Sequence, residues 1–288
     1  MQVKLISITK PEIKIEKDGQ QIELNPEELI VYCARVSSPK NQDNIETSEK
    51  LLNFLIKHAH WSPLEMVDMT IEVITSRAIA QQMIRHKSFS IQEYSQRYSE
   101  VNSFEPVQLR KQAETNRQSS LEIFNPSISF LTVDNGEIVR VEGDADSIVR
   151  ELIGRCNDTY KALVGAEVAK ECARMVLPLT TSTRLYFKGN IRSWVHWFDV
   201  RLPENTQLEH REIAQKCLAI FKENFPTLYR ARYEKTEYDP DFKSKAPEFI
   251  RQLREKTGAG LFDCKEAVKL YGLDENKCIE YIRTKGLA

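Results

Sequence analysis

From Val67 to Thr75 the chain alternates: Val67, Met69, Ile71 and Val73 are apolar, and Asp68, Thr70 and Glu72 between them are polar. Period two puts the apolar set on one face, which predicts a half-buried strand. TSTRLYFK, from Thr181 to Lys188, alternates in the same way and predicts another. MQVKLISI and IKIEKDGQQIEL, the latter around a DG turn, predict short strands, and SISFLTVDNGEIVRVEG predicts a hairpin turning at Asn135-Gly136. Elsewhere the apolar spacing is helical. In NPEELIVYCARVSS, Asn25 stands as N-cap, Pro26 at the first helical position, and Glu28 closes a capping box. A second helix is expected from Thr47 to Lys57, and Pro63 stops any continuation. Ser76 can cap a third, with Ile79, Ala80, Met83 and Ile84 on its apolar face. A long helix begins near Asp146, is interrupted at Gly165 and ends near Leu177 to Leu179. NIRSWVHWFDVRL returns to helical spacing, and Pro203 starts a further helix through REIAQKCLAIFKENF. Strands and helices together predict an α/β (α+β) protein, a twisted sheet packed with helices.

Past Tyr229 the pattern changes. RARYEKTEYDPDFKSKAP is charged, contains two prolines and has little to bury, so residues 230–246 read as a linker. Three short amphipathic patterns separated by glycines follow, predicting a small three-helix bundle over 247–288. Its expected core is Ile250, Leu253, Leu261, Cys264, Val268, Ile279 and Ile282. At roughly 40 residues it stands at the lower limit for independent folding. The expected organisation is therefore a domain over 1–229, a linker and a tail.

At 288 residues, 41% hydrophobic and 29% charged, the composition is globular. No apolar run approaches the roughly 20 residues that span a bilayer. The first residues lack an apolar core followed by a small-residue cleavage site, so a soluble, cytoplasmic protein is expected. A formal net charge of -1 argues against broad nucleic-acid binding. The six cysteines are scattered, with no CxxC pair, so neither a disulfide framework nor a zinc site is expected.

Against that near-neutral background, RHKSFSIQEYSQRY (residues 85–98) concentrates cations, hydroxyls and rings where a helix ends. Arg85 and Arg97 can grip phosphate bidentately, and Glu93 can accept from a sugar hydroxyl or orient an arginine. Tyr94 and Tyr98 offer ring faces. A solvated, ion-paired helix end satisfies the same charges, and spacing alone leaves both readings open. In HAHWSPLE, His58 and His60 lack the partners of a metal site and read as core or capping histidines. Arg174, in ARMVLP, has apolar neighbours and requires an anion, either a structural carboxylate or a ligand. Asn190, His196 and Arg201 do not share one helical face. GAGLFD at Gly258 lacks the third glycine and the preceding strand of a dinucleotide fingerprint. No nucleophile–base pair emerges. The residues by themselves reach a multi-helix, mixed-strand protein with a phosphate-ligand site, short of a reaction.

The same run resembles the signature of flavin-dependent thymidylate synthases, RHRxxSxNExSxRY. Arg85, His86, Ser90, Glu93, Ser95, Arg97 and Tyr98 match; Lys87 stands in place of arginine and Gln92 in place of asparagine. ARVS at Ala34, HWSPLE at His60, ARMVLP at Ala173, and NIRS followed by Arg201 fit the family's order. The likeness covers roughly residues 1–229. It implies a homotetramer with active sites between subunits, FAD as cofactor, NADPH and methylenetetrahydrofolate as co-substrates, and deoxyuridylate (dUMP) as the methyl acceptor. Carried over by position, Ser37, His60, Ser62, Glu65, Arg85, His86, Lys87, Glu93, Asn190, Arg192 and His196 line the FAD site. Gln82, Arg85, Glu93, Ser95, Gln96, Arg97, Arg174 and Arg201 hold dUMP. The resemblance implies Arg201 as the catalytic residue, stabilising the uracil anion at N3 and O4, and implies no cysteine nucleophile. His196 stands where the family often has asparagine.

The tail resembles the small N-terminal three-helix domain of elongation factor Ts, through TGAG, DCKEA and IEYIRTKGLA. That likeness implies docking on elongation factor Tu, with oligomer stabilisation as the competing role. The alternative for the whole chain is a non-catalytic nucleotide-binding protein with a translation-factor-docking tail.

Overall fold

The chain opens with strand β1 (Gln2–Ile8), a hairpin of β2 (Lys14–Lys17) and β3 (Gln20–Glu23), and helix α1 (Pro26–Ala34). The capping box at Asn25 is complete: its side chain accepts from the Glu28 amide at 2.9 Å, and Glu28 accepts from the Asn25 amide at 2.8 Å. Helix α2 (Ser48–Lys57) follows, then a 3-10 turn at Ser62–Met66 containing Pro63. These features lie in a computed structural model that describes residues 1–17, 19–101, 103–114, 119–134, 136–234 and 242–285.

Strand β4 (Asp68–Ser76) carries the alternation into space: Val67, Met69, Ile71 and Val73 are all fully buried. Ser76 caps α3 (Arg77–Ile84). Next comes β5 (Ser90–Glu93), which the polarity of SIQE concealed. Two hairpins succeed it, β6 (Arg110–Gln112) with β7 (Ser120–Ile123), and β8 (Ser127–Asp134) with β9 (Glu137–Asp144). The first was not expected. The second is the expected hairpin, although Asn135 of its turn lies outside the described residues. Helix α4 (Ala145–Gly165) stops where expected, because Glu167 adopts a left-handed backbone (φ 61°). The chain then makes a four-residue helix, α5 (Lys170–Ala173), and a 3-10 turn at Arg174–Val176.

Strand β10 (Ser182–Asn190) lies between β4 and β5, completing an antiparallel four-stranded sheet in the order β1-β4-β10-β5. Helix α6 (Ile191–Arg201) leaves it directly, with Asn190 as N-cap. Its residues Trp194 and Trp197 pack with Phe187 of β10, Phe198 packs against both tryptophans, and the Trp194 indole donates to the Met69 carbonyl at 3.0 Å. Helix α7 (Leu208–Asn224) starts five residues later than Pro203, the expected start. The Pro203 carbonyl closes a turn on the Thr206 amide at 3.0 Å instead of opening a helix. A short helix, α8 (Pro226–Tyr229), follows.

The chain divides into two compact units, Met1–Pro226 and Thr227–Ala288. Within the second, the described residues of the stretch read as a linker are helical: Arg230–Glu234 forms a π-helical turn and α9 (Phe242–Thr257) begins before residue 246. Helices α10 (Leu261–Tyr271) and α11 (Glu275–Thr284) complete three helices. Leu253, Cys264, Val268, Cys278 and Ile282 are buried there. Leu261, expected in that core, is 47% exposed because it opens α10 on the solvent side; Ala259 is buried instead. No described helix is long and apolar enough to cross a membrane.

Candidate active site

Residues 85–98 are divided by the fold. Arg85 is the C-cap of α3, and the His86 amide closes the turn on the Met83 carbonyl at 3.0 Å. Phe89 then drops into the core and stacks on Phe187, ring centroids 3.9 Å apart and nearly parallel. Gly189 makes room for it: a Cβ there would meet the Phe89 ring at 2.6 Å. This anchor lets Ser90–Glu93 add to the sheet edge while His86 stays against α6.

The first group of expected site residues gathers at the end of α6. The Arg201 Nε donates to His86 Nε2 at 2.9 Å, so His86 carries its proton on Nδ1. Burial, and then the charge of Arg201, push His86 down to about 4 from its ordinary 6.5, so it is neutral at physiological pH. Arg201 is half-buried, and burial and then the charge of Arg85 oppose its protonated form. Among the described residues, neither Arg85 nor Arg201 has a carboxylate partner. Two cations close enough to repel, one of them bonded only to a neutral imidazole, make a site with a deficit of negative charge. Gln82 adjoins it through His210 and Gln207, two residues the sequence reading did not select.

The second group lies near β5. Glu93 accepts from Arg77 Nη1 at 2.7 Å and from the Thr183 hydroxyl at 3.0 Å. Arg77 was also missed. Its one signal is its place at a helix N-terminus, where a cation opposes the helix dipole and requires a carboxylate nearby. Arg77, buried Gln96 and Arg174 line a cavity of about 300 Å³ with Leu177, Pro178 and Thr181. Among the described residues the buried Gln96 Nε2 has no hydrogen-bond partner and Arg174 has no carboxylate partner. Glu93 and Ser95 line a second cavity with Tyr94, Tyr98 and Arg184. Arg97 is on neither wall; it is largely exposed and pairs with Glu171 at 3.3 Å.

The residues expected around FAD fall mainly near the start of α6. Arg192 pairs with Glu65 from the 62–66 turn. His196 meets the edge of Trp61, ring centroids 4.8 Å apart. His60 and His58 flank Phe54 at 5.5 and 4.3 Å. The Asn190 carbonyl oxygen caps α6, accepting from the Ser193 amide and hydroxyl at 2.9 Å each. Ser37, Ser62 and Lys87 are exposed. One chain therefore does not bring Arg97, Arg174 and Arg201 to a common pocket.

The fold and these groups define a class: an α/β protein whose sheet edge and helix ends hold uncompensated guanidiniums beside hydroxyls and aromatic rings, suited to an anionic ligand with a flat ring. The family profile described as "Thymidylate synthase complementing protein" matches residues 21–227. A flavin-dependent thymidylate synthase of Synechocystis is 48% identical over 231 residues, covering 80% of this chain and 99% of the relative. A probable flavin-dependent thymidylate synthase of Paramecium bursaria Chlorella virus 1 is 40% identical over 232 residues, covering 80% and 98%. Among solved structures, the UMP/dUMP methylase PolB of Streptomyces cacaoi, bound with 5-Br dUMP, shares the fold. Its TM-score is 0.59 at 21% identity, over 80% of this chain and 93% of that one. The chain belongs to the family of flavin-dependent thymidylate synthases.

Proposed function

We propose that the chain catalyses the reductive methylation of dUMP to thymidylate with FAD as cofactor, methylenetetrahydrofolate as one-carbon donor and NADPH as reductant. Family membership makes it an enzyme, a flavin-dependent methyltransferase. The observation that carries the reading is the Arg201–His86 pair beside Arg85: two guanidiniums with no carboxylate partner among the described residues, a place for an anionic ligand.

Carbon 5 of uracil is a weak nucleophile until the ring becomes electron-rich. Arg201 is held through Nε, so its terminal nitrogens remain to stabilise negative charge at N3 and O4, raising that nucleophilicity. His86 serves as a neutral acceptor; a protonated imidazole could not accept this hydrogen bond and would repel the guanidinium. Arg174 and Gln96 supply a charge-assisted and a neutral donor for phosphate, and Arg77 holds Glu93 in place. The set around α6 fits a flavin dinucleotide in kind: cations at Arg85, Lys87 and Arg192 for pyrophosphate, and rings at Trp61, His60 and His196 for the flat heterocycle. When bound, FAD supplies the hydride transfer that no side chain can perform.

The expected dUMP residues divide among separate groups in one chain, which supports sites completed between subunits of a homotetramer; the assigned location is the cytoplasm. Residues 1–229 are assigned to the synthase, 230–246 to a connecting segment and 247–288 to a tail that either stabilises the oligomer or docks on elongation factor Tu. Tritium release from 5-labelled dUMP, with NADPH and methylenetetrahydrofolate present, tests the activity. A flavin-loaded preparation that releases no tritium would leave the non-catalytic nucleotide-binding alternative.

A further inference from the structure

Glu209 is joined to Arg110 at 2.7 Å, so one end of a hydrogen-bond chain has a known direction. Burial pushes the Glu209 carboxyl up, but hydrogen bonds from its own backbone amide, Arg110 and Gln207 outweigh it and hold the pKa below the ordinary value. A carboxylate only accepts, so the side-chain nitrogen of Gln207 must face Glu209, at 2.9 Å. The Gln207 carbonyl then faces Gln82 and accepts from its Nε2 at 2.6 Å. That leaves the Gln82 carbonyl facing His210 Nδ1 at 3.1 Å, and the imidazole must donate there. Every donor and acceptor along Glu209, Gln207, Gln82 and His210 follows from one ion pair.

His210 is fully buried, and its Nε2 has no hydrogen-bond partner among the described residues. This is the outcome the chain dictates: with the proton on Nδ1, Nε2 keeps a bare lone pair. The ring stands 6.3 Å from that of His86 and 5.8 Å from that of Trp197, beside the Arg201 group. Burial, then the charges of Arg201 and His86, hold His210 at about 3, far below its ordinary value, so the ring remains neutral. The Gln82 amide nitrogen has two hydrogens, of which Gln207 takes one.

We propose that His210 is a positioning residue: it fixes the Gln82 amide with its carbonyl inward and one N–H outward, so that Gln82 meets its ligand as a donor and selects a carbonyl or other acceptor there. Taking that ligand as the uracil of dUMP rests on the function proposed above. Gln207 holds the amide nitrogen and His210 holds the oxygen; an amide held at the nitrogen alone keeps less of this preference.

Two measurements decide it. Nitrogen-15 shifts of the labelled full-length protein should show His210 neutral with the proton on Nδ1; a proton on Nε2 would overturn the proposal. His210→Asn places an N–H near the original Nδ1, whereas His210→Gln places it nearer Nε2. With flavin content and melting temperature compared in both, the Gln variant should bind dUMP about tenfold more weakly and the Asn variant within about twofold of the parent. Equal affinities in the two variants would also overturn it. If the parent protein binds no dUMP, the proposed function fails, and the tautomer alone decides the role of His210.

Discussion

At the scale of single residues, Arg201 has the most to explain and the most to lose. Arg201→Ala should keep bound flavin, visible in the absorption spectrum, while tritium release falls by about 10²–10³-fold, the usual cost of one charge-stabilising donor. Near-normal turnover would remove the role assigned to it. The two depressed histidines give a second prediction. His86 and His210 have folded values of about 4 and about 3 against an ordinary 6.5, so the unfolded chain takes up protons first. Their contribution to stability is complete above 6.5 and is lost as pH falls through those two values. Melting temperatures between pH 7.5 and pH 4 should therefore decline less steeply in His210→Asn than in the parent; parallel profiles would refute this. Gly189→Ala tests the anchor beneath the site. The added methyl meets the Phe89 ring at 2.6 Å, and denaturant unfolding should show a loss of about 1–3 kcal/mol.

At the scale of elements, what could be read was what repeats locally. The capping box at Asn25 needs residues three apart, and the alternation of β4 needs neighbours two apart, so both stood in the sequence. Asn25→Ala should lower stability by about 1 kcal/mol in a thermal or urea melt, with the catalytic rate of the folded enzyme unchanged. Strand β5 was illegible for the opposite reason. Ser90, Gln92 and Glu93 have no strand pattern of their own; Phe187 and Leu185 of β10 pair with Ile91 and Glu93 and make the segment a strand. The start of α7 was misread because Pro203 suits either a first helical turn or a tight loop, and only the Pro203–Thr206 bond decides.

At the scale of the whole molecule, the family profile ends at residue 227, where the second compact unit begins. A chain ending after Tyr229 should still release tritium from dUMP, and the full chain, not the shortened one, should retain elongation factor Tu in a pull-down. Loss of activity on shortening would favour the tail as a stabiliser of the oligomer.

By itself the sequence determined the main strands and helices, the resemblance that led to the family, and the residue types from which the site is built, because each depends on spacing within a few tens of residues. Only the tertiary structure decided which groups meet. His86 reaches Arg201 across 115 positions, and Gln82 reaches His210 across 128. Arg77 meets Glu93 because β10 brings β5 alongside the start of α3. Partners so distant along the chain leave no periodic trace, and their pairing follows from sheet order and burial, which exist only once the chain has folded.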